Sequence, residues 1–88
     1  SNVQDQPRQA LDYYFRALPV LKAENDRVQE SSILSRIGSV YDDLGEPLNS
    51  LDFYEKALKI RRELQDERAE ASTLANMSIV LKNLGYYD

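Results

Sequence analysis

Hydrophobic residues recur along the chain at spacings of three and four, which places their side chains on one face of an α-helix. Four such stripes follow one another, each separated from the next by a short polar stretch. Their members are Ala10, Tyr14, Ala17, Leu18 and Leu21; Leu34, Ile37, Val40, Tyr41 and Leu44; Leu48, Leu51, Tyr54, Ala57, Leu58 and Leu64; and Leu74, Met77, Leu81 and Leu84. No segment alternates with period two for long enough to form a strand. The pattern therefore predicts an all-α fold of about four antiparallel helices near residues 7–23, 27–44, 47–65 and 67–84.

Polar and special residues near the predicted boundaries agree with these helices. Asp26 and Asp66 precede two of them, where a carboxylate accepts hydrogen bonds from the free N–H groups of the first turn. Gly45 can take the left-handed conformation that ends many helices, and Pro47 suits the first turn of the next one. Pro19 lies inside the first predicted helix. Because it cannot donate a backbone hydrogen bond, we expect it to bend that helix or end it early.

The chain matches itself when it is shifted by 40 residues. Between the pair Leu11 and Leu51 and the pair Leu48 and Asp88, 12 of the 38 aligned pairs are identical, and no gap is needed. The first members of the identical pairs are Leu11, Asp12, Tyr14, Ala17, Leu18, Asp26, Glu30, Ser32, Leu34, Val40, Leu44 and Gly45. Each period contains two predicted helices, so the sequence indicates an array of helix pairs.

The stretch 33–62 resembles a tetratricopeptide repeat in its order of large, small and aromatic residues. The matching residues are Leu34, Ile37, Gly38, Tyr41, Gly45, Ser50, Tyr54, Ala57 and Leu58. The resemblance implies that Gly38 and Ser50 are small so that the two helices of a pair approach closely, and that Tyr41 and Tyr54 fill the gaps between successive pairs. The family's usual period is about 34 residues, and HEAT and armadillo repeats have longer ones. The 40-residue period is similar to the tetratricopeptide variety of kinesin light chains and Leu-Gly-Asn-repeat adaptor proteins.

The resemblance also implies a domain organisation. Residues 7–88 are expected to form one tetratricopeptide-like α-solenoid: the second helix of a preceding repeat (7–25), a complete repeat (27–65) and the first helix of a following one (67–88). Residues 1–6 are expected to be a disordered or tag-derived N terminus. Each end then lacks a helix to cover its apolar side. We therefore expect an excerpt of a longer array, head-to-tail self-association through the end helices, or both.

Such repeats resemble scaffolds that bind a protein or peptide on a concave face lined by the first helix of each pair. The candidate partner-binding residues on that face are Ser32, Ser35, Arg36, Ser39, Asp43, Asn76, Ile79, Lys82 and Asn83. Some family members grip a C-terminal carboxylate with lysines and asparagines, but here Ser35, Ser39, Ala75 and Ile79 stand at those positions, so no such clamp is expected. The alternative is an architectural or self-assembling repeat segment with no dedicated ligand.

The composition of the chain argues against several classes of function. The 88 residues include no cysteine and no histidine, which excludes imidazole-dependent triads and Cys or His metal sites, so we expect no enzyme, no cofactor and no metal. The net charge is −4, and the one locally basic stretch, 56–62, indicates a solvated helix face rather than a nucleic-acid site. The longest uncharged run, 71–81, is too short for the roughly 20 residues that span a bilayer. With no recognisable signal sequence, a cytoplasmic location is predicted.

Overall fold

A computed structural model describes residues 5–85, and the fold there is all-α, as predicted. The four helices are α1 (Asp5–Ala23), α2 (Arg27–Asp43), α3 (Pro47–Glu63) and α4 (Glu67–Asn83). The predicted boundaries are correct to within two residues. Three helices end one or two residues before their predicted ends.

The first helix differs from its prediction at both points where the sequence raised a question. It begins at Asp5, two residues before the predicted start at residue 7, so Asp5 and Gln6 of the predicted N-terminal segment are helical. The rest of the predicted N-terminal segment, residues 1–4, lies outside the described residues, as do residues 86–88. The helix also continues through Pro19 to Ala23, so the proline does not end it early. Pro19 is exposed, and a bend at this position stays a prediction.

Three-residue turns join the helices, and the middle residue of each turn has a left-handed backbone conformation. The backbone φ angles are 57° at Asn25, 76° at Gly45 and 59° at Gln65, and Gly85 after α4 has 89°. In each connecting turn, the N–H of the residue after the left-handed one donates to a carbonyl in the last turn of the helix, as from Glu46 to the Tyr41 carbonyl at 2.9 Å. This Schellman-type ending reverses the chain sharply, so that successive helices lie antiparallel.

Side-chain caps then start α2 and α4, as the sequence predicts. The Asp26 carboxylate accepts a hydrogen bond from the Gln29 N–H at 3.2 Å, and the Asp66 carboxylate accepts one from the Ala69 N–H at 3.1 Å. Such caps are each worth about 1 kcal/mol. Glu46 holds the same position before α3 but makes no side-chain cap, and Pro47 takes the first turn instead.

Each helix packs mainly against its neighbours in sequence, which gives a flat arrangement of 37 × 35 × 16 Å. The radius of gyration is 13.3 Å, against about 12 Å for a compact domain of this length. The central cluster of buried apolar side chains comes from α1, α2 and α3, and its members are Leu11, Leu18, Leu34, Ile37, Ala57 and Ile60. The pair formed by α2 and α3 is therefore the centre of the fold.

A glycine sets the distance between α2 and α3. A Cβ added at Gly38 would lie 3.0 Å from Cδ1 of Tyr54 and 3.1 Å from the backbone oxygen of Ser50. Both distances are shorter than ordinary van der Waals contact, so a side chain at this position would push the Tyr54 ring or the α3 backbone away. The prediction that Gly38 is small to let the helices approach is confirmed.

Aromatic rings join the outer helix α1 to this pair. Phe53 of α3 stacks on Tyr41 of α2 with 5.6 Å between ring centroids, and Phe15 of α1 meets Phe53 edge-on at 5.7 Å. The ammonium group of Lys56 lies 4.5 Å from the centroid of the Phe53 ring. Such ring pairs are worth about 0.5–1.5 kcal/mol beyond the area they bury.

Candidate functional site

The nine predicted groove residues lie on α2 and α4, and most are open to solvent. Exposed are Arg36, Ser39, Asp43, Ile79, Lys82 and Asn83, and half-buried are Ser32, Ser35 and Asn76. On α2 their spacing puts them opposite the buried stripe that contains Leu34 and Ile37. Within residues 5–85, no hydrogen bond or ion pair joins the α2 members of this set to the α4 members. They therefore form two mainly polar stripes, one on α2 and one on α4.

Two members of the α2 stripe lie close to a buried tyrosine. Burial raises the pKa of the Tyr54 hydroxyl above its ordinary value; a hydrogen bond with Ser39 opposes this rise, and the charges of Asp42 and Asp43 add to it. The hydroxyl consequently stays neutral at physiological pH. Tyr54 thus contributes packing against Gly38 and a polar tip beside the predicted groove.

A polar cluster around Arg61 was not predicted from the sequence. Its guanidinium donates through Nη1 to the Thr73 hydroxyl at 2.7 Å and through Nε to the Ser31 hydroxyl at 3.3 Å. Both hydroxyls are buried, and each donates its own hydrogen to a carbonyl of its helix, so their lone pairs are free to accept from Arg61. Arg61 of α3 therefore links α2 to α4.

This position corrects the expectation that the whole basic stretch 56–62 is a solvated face. Lys56, Lys59 and Arg62 are exposed, as expected, but Arg61 is half-buried. A signal was available, because Arg61 follows Tyr54 and Leu58 at helical spacing and so belongs to the packed side of α3. Nothing in the sequence identified the two hydroxyls that accept its hydrogen bonds.

Ion pairs extend the Arg61 cluster at the same end of the helices. Arg27 of α2 contacts Glu63 of α3 at 2.9 Å and the buried Glu30 of its own helix at 3.1 Å. Arg62 of α3 contacts Glu70 of α4 at 3.0 Å. The pairs with Glu63 and Glu70 are solvent-exposed and contribute up to about 1 kcal/mol each, and both connect neighbouring helices.

Two open clefts lie at opposite ends of the helix layer. The first, of about 470 Å³, lies beside α1 and α2 and is mainly apolar. Its lining residues are Tyr13, Arg16, Ala17, Val20, Leu21, Gln29 and Ile33. The second, of about 410 Å³, lies between α3 and α4 and is lined by Glu55, Leu58, Lys59, Arg62, Glu63 and Met77. Neither cleft includes a predicted groove residue.

Residues 5–85 lack two further kinds of site. In this part of the chain, no group of three or more carboxylate, thiol or imidazole side chains is placed to hold a metal ion. None of the four helices is both long enough and apolar enough to cross a membrane.

Comparison with family models and curated proteins identified no relative of this chain. No family model matches the sequence, and no curated protein matches it significantly.

Proposed function

We propose that the chain is a tetratricopeptide-like helical-repeat segment that serves as a protein-interaction scaffold. In this proposal a peptide or protein partner binds along the polar stripes of α2 and α4. The observation that carries it is the exposure of Arg36, Ser39 and Asp43 along two turns of α2, the helix whose opposite side holds the core. A central helix with one side open presents a surface for a partner on a rigid frame.

Features separated by 40 residues support the repeat part of the proposal. Asp26 and Asp66 make the same cap, and the preceding Asn25 and Gln65 share the same left-handed backbone. The close contact at Gly38 supplies the tight helix pair that the resemblance implies.

The chemistry of the stripes suits an extended peptide. Arg36, Asn76 and Asn83 carry N–H groups that can donate to the carbonyl oxygens of a partner backbone. Ile79 is an exposed apolar side chain of the α4 stripe and offers an anchor for an apolar side chain of the partner. We therefore expect a partner segment that combines free backbone carbonyls with one apolar residue.

Selection from a displayed library of random peptides tests the proposal. Dissociation constants of selected peptides are measured by fluorescence anisotropy for the original chain and for the double variant Arg36→Ala, Asn76→Ala. We expect the variant to bind at least about tenfold more weakly, a change of about 1.4 kcal/mol.

A matched control is the double variant Arg8→Ala, Gln9→Ala, which removes one arginine and one amide from exposed positions on α1. It should bind as the original chain does. Selection of no peptide, or equal binding by the groove variant and the control, would contradict the proposal.

A further inference from the structure

The outer side of α4 is an apolar surface with no helix packed on it. Leu74 is 41% exposed, whereas Leu34, its equivalent 40 residues earlier in α2, is only 5% exposed. Met77, at the border between this side and the cleft shared with α3, is half-buried, while its equivalent Ile37 is fully buried in the central cluster. The difference arises because α3 covers this side of α2, and within residues 5–85 nothing covers the same side of α4.

The outer side of α1 also exposes apolar side chains that are buried at the equivalent positions of α3. Val20 is 55% exposed, whereas its equivalent Ile60 in α3 is 5% exposed and belongs to the central cluster. Tyr13 is exposed as well, and with Ala17 and Leu21 it lines the apolar cleft of about 470 Å³. The residues that α3 uses to pack on α2 therefore have equivalents, 40 residues earlier, on the uncovered side of α1.

We propose that a second copy of the chain covers α4 with its α1, in the arrangement that α3 takes on α2. The interface between α2 and α3 is the template: α4 presents Leu74, Met77 and Leu81 where α2 presents Leu34, Ile37 and Tyr41. The incoming α1 presents Tyr14, Ala17 and Val20 where α3 presents Tyr54, Ala57 and Ile60. The chain thus carries both halves of one interface, on opposite ends.

This contact joins two different surfaces, so each added copy leaves one free α1 and one free α4. Association of this heterologous kind continues head to tail unless it closes into a ring. It uses neither polar stripe of the proposed groove, and its failure would leave the groove proposal standing.

One sequence difference between α4 and α2 weakens the proposed interface between copies. Ser78 of α4 takes the place of Gly38, where even a Cβ would lie 3.0 Å from the tyrosine ring. The seryl side chain must hold Tyr14 of the incoming α1 farther away than Tyr54 lies from Gly38. The association is therefore weaker than the packing of α3 on α2.

Sedimentation velocity over a concentration series tests the proposal with three variants. The original chain should form species larger than a dimer as its concentration rises. Val20→Glu blocks the α1 surface and Leu74→Glu blocks the α4 surface, and each variant alone should associate at least about tenfold more weakly, since a buried unpaired carboxylate is costly. Ser78→Gly removes the obstructing side chain and should associate about tenfold more tightly, in line with the usual cost of overpacking.

Mixing the two blocked variants tests the head-to-tail geometry itself. Val20→Glu keeps a working α4 and Leu74→Glu keeps a working α1, so an equimolar mixture should form a dimer and nothing larger. Both side chains are exposed in the single chain, and unchanged circular dichroism will verify that the variants fold. An original chain that stays monomeric at all concentrations, or a mixture that stays monomeric, would overturn the proposal.

Discussion

Replacing Gly38 with alanine should destabilise the fold, although the same change stabilises most helices. In a helix interior, alanine is favoured over glycine by about 1 kcal/mol. At Gly38 the new methyl group would lie 3.0 Å from Cδ1 and 3.1 Å from Cε1 of Tyr54, and 3.1 Å from the Ser50 carbonyl oxygen. Carbon atoms pack best at about 3.5–4.0 Å, so the Tyr54 ring and the α3 backbone must move away by a few tenths of an ångström.

Two of the three obstructing atoms belong to a buried ring and one to the backbone of α3, so a simple side-chain rotation cannot relieve them. Overpacking of this kind costs about 1–3 kcal/mol. Subtracting the helix-propensity gain leaves a net loss of about 1 kcal/mol in the free energy of unfolding. For a chain of this size the melting temperature should fall by about 4–8 °C.

Urea and thermal unfolding followed by circular dichroism will measure this loss. The matched control is Ser78→Ala at the equivalent, exposed position of α4, at a concentration where the chain is monomeric. It should gain a few tenths of a kcal/mol, about the usual helix-propensity difference between serine and alanine. A Gly38→Ala variant at least as stable as the original would refute the close-approach argument.

Three further predictions concern single side chains. Ser50→Ala should stabilise the chain by about 1 kcal/mol in urea unfolding, because the Ser50 hydroxyl is buried without a hydrogen-bond partner; a loss would mean that a partner exists. Arg61→Ala should lower the free energy of unfolding by about 2 kcal/mol, because two charge-assisted hydrogen bonds are lost. The control Arg68→Ala, at an exposed site, should leave the free energy of unfolding nearly unchanged, and equal effects of the two variants would refute the bridging role. The raised pKa of Tyr54 means that the unfolded chain releases this proton first, so stability should fall as the pH rises above 10, and less steeply in Tyr54→Phe; identical pH profiles would contradict this.

The helix ends illustrate what a hydrophobic pattern can and cannot locate. The pattern extends the second, third and fourth helices to include Leu44, Leu64 and Leu84, but each of these leucines is the C-cap, with φ between −78° and −80°. Their dihedral angles, their apolar character and their N–H bonds to the carbonyl four residues earlier all continue the helix, and only the left-handed residue that follows each leucine ends it. Hydrophobic spacing therefore predicted the elements and their order, and it overran their ends.

Side chains that lie between helices were harder to predict than the helices. Arg36 is exposed on the side of α2 opposite the core, a position that depends on the geometry of one helix alone. The environment of Arg61 depends on where α2 and α4 bring their hydroxyls, and no local pattern contains that distance. The same reason limits the groove: each polar stripe follows from one helix, whereas the separation of the two stripes depends on how α3 orients both neighbours.

The distribution of packing connects stability with the proposed self-association. The α2–α3 pair supplies most of the central cluster, and α4 contributes to the interior chiefly through Thr73 and Val80. Helices with few buried apolar contacts open at lower free energy than the centre of a fold. A docked copy would bury Leu74 and Met77 and so stabilise a helix that now buries few apolar side chains. Association and the opening of α4 are therefore thermodynamically coupled. Amide protons of α4 should exchange more slowly as the chain concentration rises, whereas the exchange of amide protons of α2 should hardly change. Equal slowing in both helices would show that association does not act through the α4 surface.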